Sequence, residues 1–123
     1  MRNFNKGSVD EFRCRCGCGL GFKEMKPEML SRLDNARDIA GVSFVLNRGI
    51  SCGLHNMNIG GSETSSHLYG YAVDIRSNDG SVNRFKRVKA LLDAGFTRIG
   101  IYNTFIHADY DINKPQEVMW LGK

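Results

Sequence analysis

A carboxylate stands inside a segment whose other side chains are apolar, and this constrains the fold more than any other feature. Asp74 lies in the run AVDI at residues 72–75, which predicts a buried strand. An isolated charge costs too much free energy to bury, so such a carboxylate must be paired or must bind a cation. The chain must therefore fold so that a partner for Asp74 reaches the interior.

Two histidines are placed to approach that carboxylate. His67 precedes Asp74 by seven residues, and Gly70 between them allows the chain to turn or to approach closely. His107 lies in a second apolar run, FIHAD at residues 105–109, which also predicts a strand. Two strands that each direct one side chain inward, with His67 at the end of the first, can bring three ligands around one ion.

Two imidazoles and one carboxylate are a common ligand set for catalytic zinc. They leave the fourth position open for water, and zinc lowers the pKa of that water to roughly 7. The H-x-D pattern that begins at His107 also matches a ferrous facial triad, with His67 or His55 as the distant ligand. The residues alone leave three interpretations open: a zinc hydrolase, an iron oxygenase, and histidines with structural roles.

Length and composition favour one globular domain over residues 1–123. Hydrophobic residues make up 41% and charged residues 24% of the chain, which suffices for one core. No apolar run approaches the roughly 20 residues that span a bilayer, so we expect no membrane association. Residues 1–7 lack the apolar region of a signal peptide, so we expect the chain to be cytoplasmic when made and to act outside only after release.

The formal net charge of +4 favours anionic partners. Nucleic acid and an anionic cell wall both meet that description. The sequence has no dense basic run with interleaved aromatic residues, so we expect no nucleic-acid binding.

Hydrophobic periodicity and turn residues predict two longer helices. Pro27 suits the first turn of a helix, apolar residues continue at helical spacing to about Ala40, and Gly41 is a natural end. Ser81 is predicted to cap the N-terminus of a second helix, which Gly95 ends. The inward stripe of that helix is predicted to be Val82, Phe85, Val88, Leu91 and Leu92, with Arg84, Lys86, Arg87 and Lys89 on the solvated face.

The remaining segments predict a sheet. Residues 47–66 form a long polar stretch that contains a predicted short helix at residues 54–59. Strands are predicted at residues 42–46, 69–76, 96–102 and 105–110, with residues 118–120 at a sheet edge. Together these elements predict a small α+β domain, with helices packed on a mainly antiparallel sheet and a zinc site on its open face. We expect this domain to be a monomer.

Four cysteines occur, at positions 14, 16, 18 and 52. Structural zinc sites mostly use pairs spaced C-x2-4-C, whereas three of these cysteines follow a C-x-C spacing. Alternate residues of an extended strand point the same way, so these thiols could converge on a metal or on Cys52. Without a signal peptide, disulfides are not expected. We expect thiols with a structural role, and a second, structural metal is the alternative.

Several of these residues belong to one specific pattern. It consists of His55-Asn56, Gly60-Gly61, Ser65-x-His67, Gly70-x-Ala72-x-Asp74, Ile99-Gly100-Ile101-Tyr102 and Phe105-Ile106-His107-x-Asp109. The pattern resembles the zinc D-alanyl-D-alanine carboxypeptidase family, the LAS-type metallopeptidases of peptidoglycan, whose zinc site is similar to that of Hedgehog signalling domains. The early segment Phe12-x-Cys14-x-Cys16-Gly17-Cys18-Gly19 resembles short phage and prophage members, so the resemblance covers roughly residues 11–110.

The resemblance implies a function and a set of site residues. The implied reaction is zinc-dependent hydrolysis of a peptide bond in peptidoglycan stem peptides, of the D-Ala-D-Ala carboxypeptidase or L-Ala-D-Glu endopeptidase type, as in phage endolysins. His67, Asp74 and His107 are implied as the zinc ligands. Ser65 is implied to lie near the substrate carboxylate.

Two positions depart from the family pattern. Ser51 stands where relatives carry a substrate-orienting arginine, and Arg48 is predicted to replace it. Thr104 stands where many relatives carry an acid that serves as general base. Asp109 shares the strand parity of His107, so it is predicted to act as the base or to orient a ligand. The alternative function is a non-catalytic, zinc-containing module that binds cell wall or a phage structural protein.

Overall fold

The computed structural model describes residues 8–123. Residues 1–7, on which the expectation of a missing signal peptide rests, lie outside this range. The described residues form α1 (Pro27–Ala40), β1 (Leu46–Arg48), α2 (Gly53–Asn58), β2 (Ala72–Arg76), α3 (Ser81–Asp93), β3 (Arg98–Ile101), β4 (Phe105–Asp109) and β5 (Val118–Leu121), with short 3₁₀ turns at Ser8–Phe12, Phe22–Glu24 and Ser66–Tyr69. Within residues 8–123, no helix combines the length and the apolar character of a membrane span.

The strands form one sheet in the order β1-β2-β4-β3-β5. Neighbouring strands are antiparallel, except that β3 and β5 run parallel. The domain is therefore a small α+β fold with a mixed, mainly antiparallel sheet. This result confirms the fold class predicted from the sequence.

Side chains of the central strands alternate between the core and the opposite face of the sheet. The fully buried core residues of β2 and β4 include Val73, Ile75, Ile106 and Ala108. Side chains of α1 and α3 join the same core, among them Met29, Leu30, Leu33, Ala90 and Leu91. Because successive side chains of a strand point to opposite faces, Asp74 and His107 project from the face away from this core.

The register aligns polar and aromatic residues in one row across the sheet. Asp74 of β2 lies opposite His107 of β4, and Arg48 of β1 pairs with Asp74 from the other side. His107 also pairs with Gly100 of β3, and Gly100 pairs with Trp120 of β5. Directly opposed residues share a face, with Cβ atoms about 5 Å apart. We call this set, Arg48, Asp74, His107, Gly100 and Trp120, the transverse row.

The predicted start of the first strand is wrong. β1 begins at Leu46, whereas the sequence predicts a strand from residue 42. The carbonyl of Phe44 accepts a hydrogen bond from Nη2 of Arg37 at 2.8 Å, and the carbonyl of Ser43 accepts one from Nε of Arg87 at 2.9 Å. These carbonyls therefore bind arginine side chains from α1 and α3 and do not pair with a neighbouring strand.

The second predicted strand also starts too early. β2 begins at Ala72, because Ser66–Tyr69 forms a 3₁₀ turn and Gly70 then redirects the chain at φ 76°. The predicted end of the first helix is confirmed, since α1 ends at Ala40 and Gly41 has φ 69°. The short helix predicted inside residues 47–66 is confirmed as α2.

The predicted orientation of α3 is wrong. Of the predicted inward stripe only Leu91 is fully buried, whereas Val82 and Phe85 are each 67% exposed and Leu92 is 46% exposed. Arg87, predicted on the solvated face, is buried. Its guanidinium donates to both carboxylate oxygens of Asp79, at 2.6 and 2.9 Å. A paired arginine can be buried at low cost, and this pairing decides which face of α3 packs inward.

The cap of α3 differs as well. Ser81 is the first residue of the helix, and Gly80 occupies the capping position without a side-chain hydrogen bond. Gly80 has φ 101°, a conformation that glycine adopts without the steric penalty of a β-carbon. The turn geometry therefore moves the helix start one residue away from the predicted cap.

Replacing Gly70 by alanine is expected to destabilise the fold strongly. A β-carbon at Gly70 would lie 2.3 Å from the backbone carbonyl oxygen of Glu24, and φ is 76°. Gly41 offers a matched control, because its φ is 69° but a β-carbon there meets no atom within 4 Å. We expect Gly41→Ala to lose about 1–2 kcal/mol of unfolding free energy from the left-handed conformation alone. Gly70→Ala should lose an additional 1–3 kcal/mol or so from the clash.

Urea unfolding of both variants measures this difference. Equal losses in Gly41→Ala and Gly70→Ala would show that the contact between residues 24 and 70 does not restrict position 70.

Candidate metal centre

Three side chains from separate elements meet on the open face of the sheet. Asp74 comes from β2, His107 from β4, and His67 from the 3₁₀ turn before β2. One nitrogen or oxygen atom of each lies within 4.8 Å of those of the other two. The structure thus brings together the three residues predicted to bind zinc.

His67 is held through both ring nitrogens. Nδ1 lies 2.8 Å from the carbonyl oxygen of Gly49, and Nε2 lies 3.2 Å from Oδ1 of Asp74. Burial lowers the pKa of His67, although the contact with Asp74 acts in the opposite direction, and so favours the neutral ring. A backbone carbonyl can only accept, so Nδ1 donates to Gly49 and Nε2 is the ring nitrogen that faces Asp74.

His107 has the opposite arrangement of its nitrogens. Nε2 lies 2.6 Å from Oδ2 of Asp109, and Nδ1 lies 3.0 Å from Oδ1 of Asp74. Burial alone lowers the pKa of His107, but hydrogen bonds to Asp109 and Asp74 outweigh burial and raise this pKa to about 9. Without a metal, the second proton of the ring therefore lies on Nδ1, next to Asp74. A metal ion bound here would replace the proton on Nδ1. Nε2 would still donate its proton to Asp109.

Asp74 provides the negative charge of the group. Burial alone raises the pKa of its carboxyl, but hydrogen bonds from His107 and His67 outweigh burial and hold this pKa well below its usual range. Oδ1 of Asp74 thus lies 3.0 Å from Nδ1 of His107 and 3.2 Å from Nε2 of His67, so that one oxygen and two nitrogens meet at one place. Two nitrogens and one carboxylate oxygen that converge in this way fit the ligand set of a zinc ion.

The outer contacts of the histidines also fit a metal site. Metal-binding histidines usually donate their second N–H to a backbone carbonyl or a carboxylate, which fixes the tautomer. His67 does so to Gly49 and His107 does so to Asp109. Both rings are thus oriented with the free nitrogen toward Asp74.

A cavity of about 270 Å³ opens above the three residues. Its wall combines three cationic side chains with three aromatic ones. The cations are Arg48, Arg98 and Lys114, and the aromatic residues are Tyr102, Phe105 and Trp120. The carboxylates in this wall are Asp74 and Asp109, both of which are held by other side chains. Because Arg98 pairs with Asp109 and Lys114 with Asp111, the positive charge that the cavity offers to an anionic ligand comes mainly from Arg48.

Arg48, which is predicted from the sequence to orient the substrate, lines this cavity. Its Nε donates to the hydroxyl of Ser51 at 2.8 Å, and its Nη2 donates to Oδ1 of Asn56 at 2.9 Å. Ser51, which stands at the family's arginine position, is buried and thus helps to fix the guanidinium of Arg48. Desolvation by burial lowers the pKa of Arg48, which nevertheless stays far above neutrality as for any arginine.

Ser65 and Asp109 also line the cavity. The hydroxyl of Ser65 accepts a hydrogen bond from the backbone N–H of His67 at 3.3 Å and so caps the 3₁₀ turn. Asp109 is 1% exposed, and its Oδ1 lies 2.9 Å from Nε of Arg98 in an ion pair without hydrogen-bond geometry. The same Oδ1 accepts a hydrogen bond from the backbone N–H of Asp111 at 3.0 Å.

The sequence does not predict the roles of Arg98, Lys114 and Trp120 in the cavity wall. Trp120 reaches the site because Gly100 has no side chain: a β-carbon there would lie 2.6 Å from the indole. The indole packs near His107, with ring centroids 5.5 Å apart. Only the pairing of β5 with β3 brings this residue to the site, and the sequence signal for β5 is limited to a predicted sheet edge.

A small α+β domain with two histidines and an aspartate at the base of an open cavity has the architecture of a metallohydrolase. The family model of Peptidase M15 matches residues 5–109. The chain therefore belongs to the Peptidase M15 family of metallopeptidases, which confirms the membership predicted from its motifs. The matched range contains the three proposed metal ligands, whereas Lys114 and Trp120 lie beyond it. No curated protein matches the chain significantly.

Proposed function

We propose that this chain is a zinc-dependent peptidase that hydrolyses a peptide bond in the stem peptides of peptidoglycan. His67, Asp74 and His107 would hold the zinc ion. One observation supports this proposal above all: one ligand atom each of His67, Asp74 and His107 lies within 4.8 Å of the others, while the second ring nitrogen of each histidine already contacts Gly49 or Asp109. Membership of the Peptidase M15 family supports the choice of reaction.

Zinc bound here would supply a water of lowered pKa and would polarise the scissile carbonyl. The residues of the chain hold the substrate around that position. Arg48 and Lys114 present positive charge on the cavity wall, and stem peptides carry free carboxylates. We assign Arg48 to a substrate carboxylate or to the charge that develops on the carbonyl oxygen, and Ser65 to a polar contact beside it.

Asp109 is assigned a positioning role. Of the two roles predicted from the sequence, the contacts favour the orienting one, because Oδ2 already holds His107 and Oδ1 is bound by Arg98 and the backbone of Asp111. A general base needs an oxygen that can reach the attacking water. The carboxylate instead fixes the tautomer and the orientation of His107.

Purified sacculi provide the direct test. The full-length chain, loaded with zinc at neutral pH, should generate new amino groups that are detected by mass spectrometry after amine labelling. Free alanine would identify a carboxypeptidase, and a new amino terminus on D-glutamate would identify an endopeptidase. A zinc-loaded chain that leaves the sacculi unchanged would contradict the proposal.

A non-catalytic module remains the second candidate function. Thr104 replaces the acid of many relatives, and the acids in the cavity wall are Asp74 and Asp109, both engaged by other groups. Such a module would sediment with sacculi and bind zinc but release no product. Co-sedimentation measured alongside product release separates the two candidates.

Arg48→Ala is expected to weaken substrate binding more than the chemical step. A hydrogen bond to a charged group contributes about 1.5–3 kcal/mol, so KM should rise roughly 10- to 150-fold. Zinc content should stay unchanged, because Arg48 contacts Ser51 and Asn56 and is not a proposed ligand. Arg84→Ala serves as the control, since Arg84 is exposed on α3. An unchanged KM in Arg48→Ala would exclude Arg48 from substrate binding.

A further inference from the structure

The four cysteines converge at one point, and none of them lines the cavity of the candidate metal centre. Their sulfur atoms all lie within 4.8 Å of one another. Sγ of Cys16 lies 3.4 Å from Sγ of Cys14 and 3.6 Å from Sγ of Cys52. All four are free thiols, with Cys14 buried, Cys52 half-buried and the other two exposed.

The local chain geometry explains how a C-x-C spacing can converge. The segment is a turn and not an extended strand, because the N–H of Gly17 donates to the carbonyl of Cys14 at 3.1 Å. Gly17 and Gly19 both have positive φ values, 81° and 99°. Gly17 turns the backbone between Cys16 and Cys18, and Gly19 turns it after Cys18. The three thiols of this segment therefore face the same point.

The separations match a single tetrahedral ion. Zinc–sulfur bonds of about 2.3 Å place the sulfurs of a tetrahedral site about 3.8 Å apart. The observed distances of 3.4 and 3.6 Å are close to this value. A disulfide would need about 2.05 Å between two sulfurs. An iron–sulfur cluster would need its cysteine ligands farther apart, because two or more irons and bridging sulfides lie between them.

Backbone N–H groups support two of the sulfurs. The N–H of Cys52 donates to Sγ of Cys14 at 3.3 Å, and the N–H of His55 donates to Sγ of Cys52 at 3.3 Å. Metal-bound thiolates are commonly stabilised by hydrogen bonds of this kind from outside the ligand set. Such contacts are already in place here and orient both sulfurs toward the common point.

We propose that Cys14, Cys16, Cys18 and Cys52 bind a second zinc ion with a structural role. A closed Cys₄ set leaves no open position, which is typical of structural rather than catalytic zinc. The proposal goes beyond the peptidase function and does not depend on it. The zinc ion would join the segment at residues 14–18 to the start of α2, two parts of the chain that are distant in sequence.

This second zinc would also brace the first site. The segment between Phe12 and Cys18 contacts the strand end that supports His67: a β-carbon on Gly49 would lie 2.7 Å from Cα of Phe12. The N–H of Ile50 donates to the carbonyl of Phe12 at 3.1 Å. Gly49 supplies the carbonyl that fixes His67. Loss of the cysteine-bound ion is thus expected to loosen the backbone that orients His67.

Metal content and spectroscopy test this inference on the full-length chain, purified under reducing conditions. We expect two zinc ions per chain in the native sequence, one in His67→Ala and one in Cys16→Ser, whose thiol is exposed. Cobalt substituted into His67→Ala should show an intense thiolate-to-cobalt charge-transfer band, which Cys16→Ser should lose. His55→Ala serves as the control and should keep both ions, because only its backbone contacts Cys52.

The thermal unfolding temperature gives a second readout. It should fall by several degrees in Cys16→Ser, since binding of a structural metal contributes directly to folding. Three results would overturn the inference: a metal-free His67→Ala, cobalt without the charge-transfer band, or two disulfides in place of free thiols. The peptidase proposal has a different point of failure, because a chain with two zinc ions and no activity on sacculi would contradict it alone.

Discussion

His67→Ala is expected to bind no zinc at the His–Asp site and to lose at least about 10³-fold in kcat/KM on stem peptides. The remaining ligands, Asp74 and His107, cannot hold the ion in a defined geometry. Zinc lowers the pKa of bound water from 15.7 to about 7, so its loss removes most of the nucleophile at neutral pH. Each factor of ten corresponds to about 1.4 kcal/mol of activation free energy.

Two measurements check this expectation, the zinc content and steady-state kinetics on a soluble stem peptide. His55→Ala is the matched control, because this remaining histidine of the sequence lies on α2 and does not line the cavity. It should keep both zinc content and activity. An active His67→Ala would falsify the proposed ligand set.

Asp109→Ala is expected to reduce both stability and zinc affinity. Asp109 is 1% exposed and contacts His107 at 2.6 Å and Arg98 at 2.9 Å, so alanine leaves these two half-buried partners without their anion. Breaking a buried pair in this way costs about 3–5 kcal/mol of unfolding free energy. Loss of the contact that orients a metal ligand typically weakens metal binding about 10- to 100-fold.

Asp109→Asn separates the two roles considered for this residue. The amide oxygen can still accept the proton on Nε2 of His107, so a positioning role predicts that Asn retains much more zinc affinity and activity than Ala. A general base would instead be lost in both variants, with zinc still bound. Asp93→Ala is the control for ion pairing, because the Asp93–Lys89 pair is exposed and should contribute less than about 1 kcal/mol.

The three residues of the candidate metal site could be predicted from the sequence, two of them because each gives a local signal. Asp74 and His107 interrupt apolar runs with side chains that must find partners, and strand alternation places both on one face. The pairing of Asp74 with His107 could not be predicted, because register depends on how two distant strands meet. The motif resemblance supplied His67, whose position depends on a turn.

The errors and omissions have physical causes of a different kind. The predicted stripe of α3 rests on periodicity, which assigns every arginine to solvent and so misses Arg87, a buried residue paired with Asp79. Lys114 and Trp120 reach the cavity only through the loop after β4 and the parallel pairing of β5 with β3. Contacts between segments that are far apart leave no local pattern. For the same reason, the sequence offered convergence with Cys52 only as one possibility, which the structure now shows.

The transverse row begins and ends on the two outermost strands of the sheet, with a guanidinium at one end and an indole at the other. A peptide lying along it would cross the strands, so the residues before and after its cleaved bond would meet different chemistry. The outer strands pair on one side only, and neither takes part in the pairing of β2 with β4. Substitutions at one end of the row would therefore change the preference for one half of a peptide without changing the preference for the other half. The central pair of strands would keep its pairing.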